Sequence, residues 1–516
     1  MACLGIDYGT TNTVVVCSDR GRYPLVPHNT DTAIGRVARD VFPSLFVFDT
    51  ATATLRFGAG AERSLAEPGA DRRYIPIRSI KRLFRDYVDG MRIACESIPG
   101  GLDLRDTFGQ FAQAAYDSVQ TSGVVNPGEP LEAVLTWPAN ANGAQRYFTR
   151  QAFKKAGFTI TGTLNEPSSA AIELADRLVH GNRAKARQLR MTVAVFDLGG
   201  GTFDASVVRI NATDYTVLGS AGIETLGGDD FDEALARMFC EKLGVEFDTL
   251  SPFHRTLLLM QSCREKERMS SGQSRNLTLD PEEIGLPGSP VKVTTAAFEK
   301  RLADLIEPAV EKLAEVVKGV EPGELETIYL VGGSSRLPVV SKLITRRFPK
   351  IKLFTTDKPF SATAMGAAIH SAEAVRVHEV FARHFGVIRL ADHGTREVFA
   401  PVFQAGLRLP AAGEPPISIP VRYRPIHNIG RLRYLECTAV DAAGKPSEGL
   451  RGWSEILFPY DPALALNRDL AGHPIVLCDT PAGDTVETYL CDHDGIISVQ
   501  ITRGDGQSRT FEIFRT

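Results

Sequence analysis

Two stretches of this sequence combine residue types that handle phosphate and metal. Near the start runs Gly5-Ile6-Asp7-Tyr8-Gly9-Thr10-Thr11-Asn12, and it is echoed much later by Val195-Phe196-Asp197-Leu198-Gly199-Gly200-Gly201-Thr202. Each copy is an apolar strand ending in an aspartate, then a glycine turn with threonine, then a second apolar strand. Glycine lets the backbone approach a ligand closely. Successive turn N–H groups form an anion-binding nest, and threonine hydroxyls add donors. Mg2+, the usual companion of phosphates, keeps much of its water and prefers one or two carboxylates. Asp7 and Asp197, one from each half of the repeat, are therefore candidate metal ligands. Gly9, Thr10, Thr11 and Asn12 on one side, and Gly199, Gly200, Gly201 and Thr202 on the other, are candidate phosphate contacts. A third stretch, Ile328 to Val331 followed by Gly332-Gly333-Ser334-Ser335-Arg336, puts a glycine turn before a helix, where a nucleotide's polar parts fit. The plain alternative is hairpins whose Gly and Asp only make turns; two copies with the same Asp-Gly-Thr order argue against it. Neither a G-x-x-x-x-G-K-[ST] loop nor a G-x-G-x-x-G fingerprint occurs.

These loops need strands and helices to hold them. The first three-quarters of the chain alternate strand-like and helix-like segments, which predicts an α/β architecture. Strands are expected over 193–196 and 328–331, and helices over 145–156, 296–317 and 338–348. In the last of these Val339, Val340, Leu343, Ile344 and Phe348 mark one face at three- and four-residue spacing. After about residue 375 helical periodicity fades. Short alternating runs over 433–440, 485–491 and 496–501, with Asp494-Gly495 as a turn signal, predict a β-sandwich joined through 379–385. A chain of 516 residues is expected to hold two to four domains. Lys plus Arg number 58 against 62 Asp plus Glu, so charge gives no argument for nucleic acid or an anionic membrane. The eight cysteines are scattered without a C-x-x-C pair, which argues against a zinc site or disulfide framework. No apolar run approaches the ~18 residues of a membrane helix. Cys3-Leu4-Gly5-Ile6-Asp7 follows the first residues directly, leaving no room for a signal sequence, so a cytoplasmic location is expected.

With three such motifs in this order, the chain resembles the heat-shock-protein-70 family of the actin/hexokinase superfamily. The most specific stretches are Thr136-Trp137-Pro138-Ala139, Leu164-Asn165-Glu166-Pro167, Leu226-Gly227-Gly228-Asp229-Asp230-Phe231-Asp232 and Ala364-Met365-Gly366-Ala367-Ala368. The resemblance implies an α/β actin-like (ribonuclease H-like) two-lobed ATPase domain over 1–376, a linker over 377–385 and a β-sandwich substrate domain over 386–516. It implies ATP and ADP as ligands, Mg2+ and K+ as candidate ions, and hydrolysis of ATP. Lys81 matches the family's catalytic lysine, Glu166 the glutamate that positions water or metal, and Thr202 the hydroxyl near the γ-phosphate, with Asp197 completing the catalytic set. Lys266 and Ser270 match adenosine contacts, joined by Gly332, Gly333, Ser334 and Arg336. Pro138 and Arg146 match a relay to the substrate domain. Implied partners are unfolded or specific client polypeptides, a J-domain-type co-chaperone and a nucleotide exchange factor.

The chain also departs from the family's pattern. Alignment on Met269-Ser270-Ser271 puts Glu267 where many relatives stack an arginine on the base and Cys263 where they have a glutamate; a one-residue slip would supply Arg268 instead. Phe360 replaces an expected aspartate. The segment from Val377 to Arg383 is less apolar than the family's linker, and no helical lid is expected after the last strand. A nucleotide-dependent module with one dedicated partner, and a metabolite kinase of the same superfamily, are the alternatives.

Overall fold

The computed structural model describes residues 2–32, 35–87, 90–94, 98, 100–179, 182–272, 275–321, 323–372, 375–391, 396–411, 413–441, 444–453, 455–467, 469–477 and 483–513. They form two compact units. The first comprises Met1–Leu83, Arg92–Asn140 and Arg150–Val377; the second comprises Phe84–Met91, Ala141–Thr149 and His378–Thr516.

The first unit is built around two sheets of the same design. One runs Thr159–Asn165, Leu131–Trp137, Ala2–Tyr8, Asn12–Ser18, Phe42–Pro43. The other contains, in the corresponding order, Lys352–Thr355, Leu325–Val331, Arg190–Leu198, Phe203–Asn211, Asp214–Ile223. In each the first two pairings are parallel and the last two antiparallel. The internal repeat seen in the sequence is thus a repeat of topology. Its two aspartates occupy equivalent places, near the ends of the central strands Ala2–Tyr8 and Arg190–Leu198, which are buried on both faces as parallel-sheet strands usually are. The expected helices appear as Gly143–Ala156, Thr295–Val317 and Pro338–Arg347.

Two helices bind the sheets together. Glu166–Val179 packs against Arg190–Leu198 and Phe203–Asn211, whereas Ala362–Ala372 packs against Ala2–Tyr8 and Asn12–Ser18. Each therefore lies on the sheet of the other half, and the two helices also pack on one another. That approach explains the run of small residues around Gly366. A Cβ there would lie 1.7 Å from the Ser169 backbone oxygen, and one on Gly5 would lie 2.1 Å from that of Ala364.

The second unit consists mainly of two antiparallel sheets. Arg396–Phe403, His384–Ala391, Ile429–Cys437 and Arg451–Gly452 form one, with Ile456–Pro459 also paired to Ile429–Cys437. Ile417–Tyr423, Thr485–Cys491, Ile497–Thr502 and Ser508–Glu512 form the other. Along Thr485–Cys491 buried and half-buried residues alternate, as a strand covered on one face requires. The interior carries a polar group among its aromatics: the wholly buried Glu487 accepts hydrogen bonds from the Tyr423 and Tyr489 hydroxyls and from Arg389 at 2.8 Å. The stretch expected as a linker starts this unit. Phe381 N donates to Leu407 O at 2.9 Å, Leu409 N donates to Glu379 O at 2.8 Å, and the Phe381 ring stacks on Phe403. Its backbone groups find partners here, so the units divide between Val377 and His378.

Candidate active site

Between the two halves of the first unit lies a cavity of about 400 Å³, within the range of small-molecule sites. Its wall contains Asp7, Gly9, Thr10, Thr11, Asn12, Lys81, Glu166, Asp197, Gly199, Gly200, Gly201, Thr202, Lys266, Ser270, Gly332, Gly333, Ser334 and Arg336. Every catalytic, phosphate, metal and adenosine position expected from the sequence is therefore on one surface. Pro138 and Arg146 are not on it.

The two glycine hairpins close in the same way. Gly9 N donates to Asn12 O at 3.0 Å, and Gly199 N donates to Thr202 O at 3.1 Å. They face each other closely enough that a Cβ on Gly200 would sit 2.1 Å from the Thr11 hydroxyl. Behind the second hairpin, Arg82 donates to Gly201 O at 2.7 and 3.0 Å and pairs with Asp230 at 2.6 Å. Gly332, at φ +82°, takes a left-handed conformation that suits glycine, and its N–H donates to Pro359 O at 3.2 Å.

Lys81 is the electrostatic centre. Its Nζ donates to Tyr8 O at 2.5 Å and to Glu166 Oε1 at 2.9 Å. Burial alone would lower its pKa, but Glu166 and Asp7 outweigh that and raise it, so it stays a cation. The carboxylates outnumber it. Burial, reinforced by Glu166, pushes Asp7 up to about 7 despite Lys81 and a 3.2 Å hydrogen bond from Thr136. Burial, with Glu166, Asp7 and Asp204 beside it, raises Asp197 well above the usual range. Burial and then Glu166 push Asp204 up to about 7 as well. Asp204 was not singled out by the sequence reading; an acidic residue inside the apolar strand Phe203–Asn211 was the available signal. It accepts from Asn140 N and Nδ2 at 3.3 Å.

Such an excess of buried negative charge is strained unless a cation joins it. Among the described residues no three His, Cys, Asp or Glu side chains converge as direct ligands. That donor set suits a hydrated Mg2+ touching one or two carboxylates, with Asp7 and Asp197 the fitting pair.

At the other end, Lys266 Nζ pairs with buried Asp232 at 2.7 Å and donates to Gly228 O at 2.8 Å. Glu267 and Cys263 line the cavity beside Ser270, whereas Arg268 pairs with Glu265 and does not. A carboxylate, Glu267, thus stands on the wall at this end, and Arg268 does not. Phe360 is also on the wall. In the second unit, burial lowers the pKa of Arg146, against the pull of Glu379 and Glu436, and its Nε donates to Ala141 O at 3.1 Å. Pro138 is buried at the end of Leu131–Trp137.

Duplicated sheets with crossed helices and a cleft at the ends of the central strands define an actin-like α/β architecture. Residues 127–380 match the family model described as Hsp70 protein, and the chain is Hsp70-like. It is similar to the protein named chaperone protein HscA homolog from Pseudomonas putida, 30% identical over 386 residues, and to those of that name from Colwellia psychrerythraea, 29% over 382, and Tolumonas auensis, 30% over 387. Each match takes in 71% of this chain and 57% of the relative, so the chain spans little more than half the length of these curated relatives.

Proposed function

We propose that this chain is an Hsp70-type chaperone ATPase. It binds ATP between the halves of its first unit and uses the nucleotide state to control binding of a client polypeptide by its β unit, the counterpart of the family's β-sandwich substrate domain. The observation that carries the reading is the single cavity uniting two equivalent glycine hairpins, the Lys81–Glu166 pair and an excess of buried carboxylate.

The hairpin N–H groups and the hydroxyls of Thr10, Thr11 and Thr202 bind and orient the phosphates. Asp7 and Asp197 would hold the hydrated Mg2+, which supplies charge neutralisation on the phosphate oxygens. Glu166 holds Lys81, whose ammonium stabilises charge developing on the γ-phosphate and orients the attacking water. Lys266, Ser270 and Arg336 bind the nucleoside. Pro138 and Arg146 form the relay between nucleotide state and client, and J-domain and exchange-factor partners follow from the same family assignment. A cytoplasmic location goes with the reading; among the described residues no helix is long and apolar enough to cross a membrane.

The test is ATP turnover by wild type and Lys81→Ala, each with and without unfolded peptides. Removing one preorganised cation is expected to lower kcat about 10²- to 10³-fold, and peptides should raise wild-type turnover. Turnover by Lys81→Ala equal to wild type would refute the assigned role. Turnover indifferent to every peptide would leave the ATPase but shift the β unit to a dedicated partner.

A further inference from the structure

Seven residues beyond Glu166 on the same helix lies Glu173. Seven residues is two turns, so both side chains fall on nearly one face, about 10 Å apart along the axis. Glu166 reaches Lys81, whereas Glu173 is buried deep in the interior. Its carboxylate accepts from the hydroxyl of fully buried Tyr329 and from Arg177 Nε at 3.0 Å; Arg177 Nη2 also donates to it and to Thr356 Oγ1. Burial, and then Glu173 itself, raises the phenol's pKa, so Tyr329 remains a proton donor.

Each partner leads back to the cavity. Tyr329 stands on Leu325–Val331, whose end becomes the Gly332–Arg336 turn. Thr356 opens the segment that reaches Pro359 and Phe360, both on the cavity wall, and Pro359 O receives the Gly332 N–H. The helix belongs to the first half of the fold, the strand and the segment to the second. A buried acid and phenol are costly to bury without partners, yet here they and the half-buried Arg177 guanidinium join the helix bearing Glu166 to the two stretches that wall the opposite side.

We infer that Arg177, Glu173 and Tyr329 are positioning residues for the ATPase site, aligning Glu166, and through it Lys81, with the Gly332–Arg336 turn across the two halves. This rests on the ATPase reading above. None of the three touches the cavity, so their effect travels through the helix, and small misplacements of catalytic groups are costly in rate.

Tyr329→Phe removes only the hydroxyl and keeps the ring packed on Phe354. It is expected to lower kcat about tenfold while KM for ATP changes less than about twofold. Glu173→Gln, which keeps an oxygen to accept from Tyr329, is expected to retain most of the activity. The decisive measurement repeats Tyr329→Phe in a Glu166→Gln background, following single-turnover hydrolysis. If Tyr329 acts through Glu166, its removal there costs less than about twofold, because effects on one pathway are not additive. The same tenfold loss in both backgrounds, or none in either, would overturn the assignment. Wild type that turns over no ATP would overturn the ATPase reading and this inference with it, whereas active wild type with unaltered Tyr329→Phe would overturn the inference alone.

Discussion

Asp7→Asn should make the protein more stable at alkaline pH and leave it without function. Folded Asp7 keeps its proton up to a pH of about 7, against 3.8 for an ordinary aspartate. The folded state thus binds more protons across that interval, and stability falls as pH rises through it. Each tenfold change in proton affinity is about 1.4 kcal/mol, so burying Asp7, ionised at pH 8 and protonated at pH 5, opposes folding by roughly 4 kcal/mol at the first pH and roughly 2 kcal/mol at the second. Asparagine removes that term and can still accept from Thr136. Lys81, however, loses part of its counter-charge, which brings the expected gain down to about 2 kcal/mol at pH 8 and below about 1 kcal/mol at pH 5. The chain has two tryptophans, Trp137 in the first unit and Trp453 in the second. In a Trp453→Phe background, Trp137 fluorescence during urea unfolding in EDTA therefore reports the first unit alone. The midpoint of Asp7→Asn should exceed that of the parent at pH 8 by more than at pH 5, and Mg2+ with ATP should raise only the parent's. An equal difference at the two pH values, or a less stable variant at pH 8, would refute the assignment of a destabilising buried charge to Asp7.

Turnover at limiting Mg2+ is expected to fall about tenfold between pH 8 and pH 6, because Asp7 regains its proton near 7 and a protonated carboxyl no longer holds the cation; a steady-state pH series should show the loss reversed by excess Mg2+. Gly366→Ala drives a methyl into the Ser169 carbonyl oxygen and should cost about 3 kcal/mol or more, read from the same Trp137 unfolding curve. Arg389→Met leaves Glu487 buried without its cation and should destabilise the second unit by about 3–5 kcal/mol, measured by Trp453 fluorescence in a Trp137→Phe background. Glu267→Arg places a cation at the nucleoside end of the cavity and is expected to tighten ATP binding about two- to fivefold by calorimetry.

The two glycine hairpins were legible because their pattern is local. A strand end, an aspartate, glycines and a threonine must be consecutive to build an anion nest, and the repeat of that order told of two matched halves. Strand and helix positions were legible for a similar reason, since each rests on a periodicity within one segment. Lys81 was different. A lysine between Ile80 and Arg82 carries no local mark of burial; only its distant partners Tyr8 and Glu166 make it special, and the family resemblance supplied what spacing could not. Asp204 lay inside an apolar strand, but its membership of the carboxylate group depends on Asn140 and Glu166, far away in sequence. The stretch 379–385 reads as a join because helical periodicity fades just before it and short alternating runs follow, whereas its structure is set by hydrogen bonds to 404–409.

The same distinction explains why the Glu173 cluster escaped the sequence. Glu173 and Arg177 are spaced like an exposed salt bridge on a helix, and Tyr329 reads as an ordinary strand aromatic. Only the crossing of two helices, each lying on the other half's sheet, turns that surface-like pattern inward and sets it against Leu325–Val331. A buried ion pair contributes little net stability compared with apolar packing of the same volume. Apolar side chains of similar volume would fill the space between helix and strand as well as Tyr, Glu and Arg do. What apolar side chains would not supply is direction: a carboxylate held by Tyr329 and by Arg177, which is itself tied to Thr356, fixes the rotation of its helix, and Glu166 two turns earlier is fixed with it.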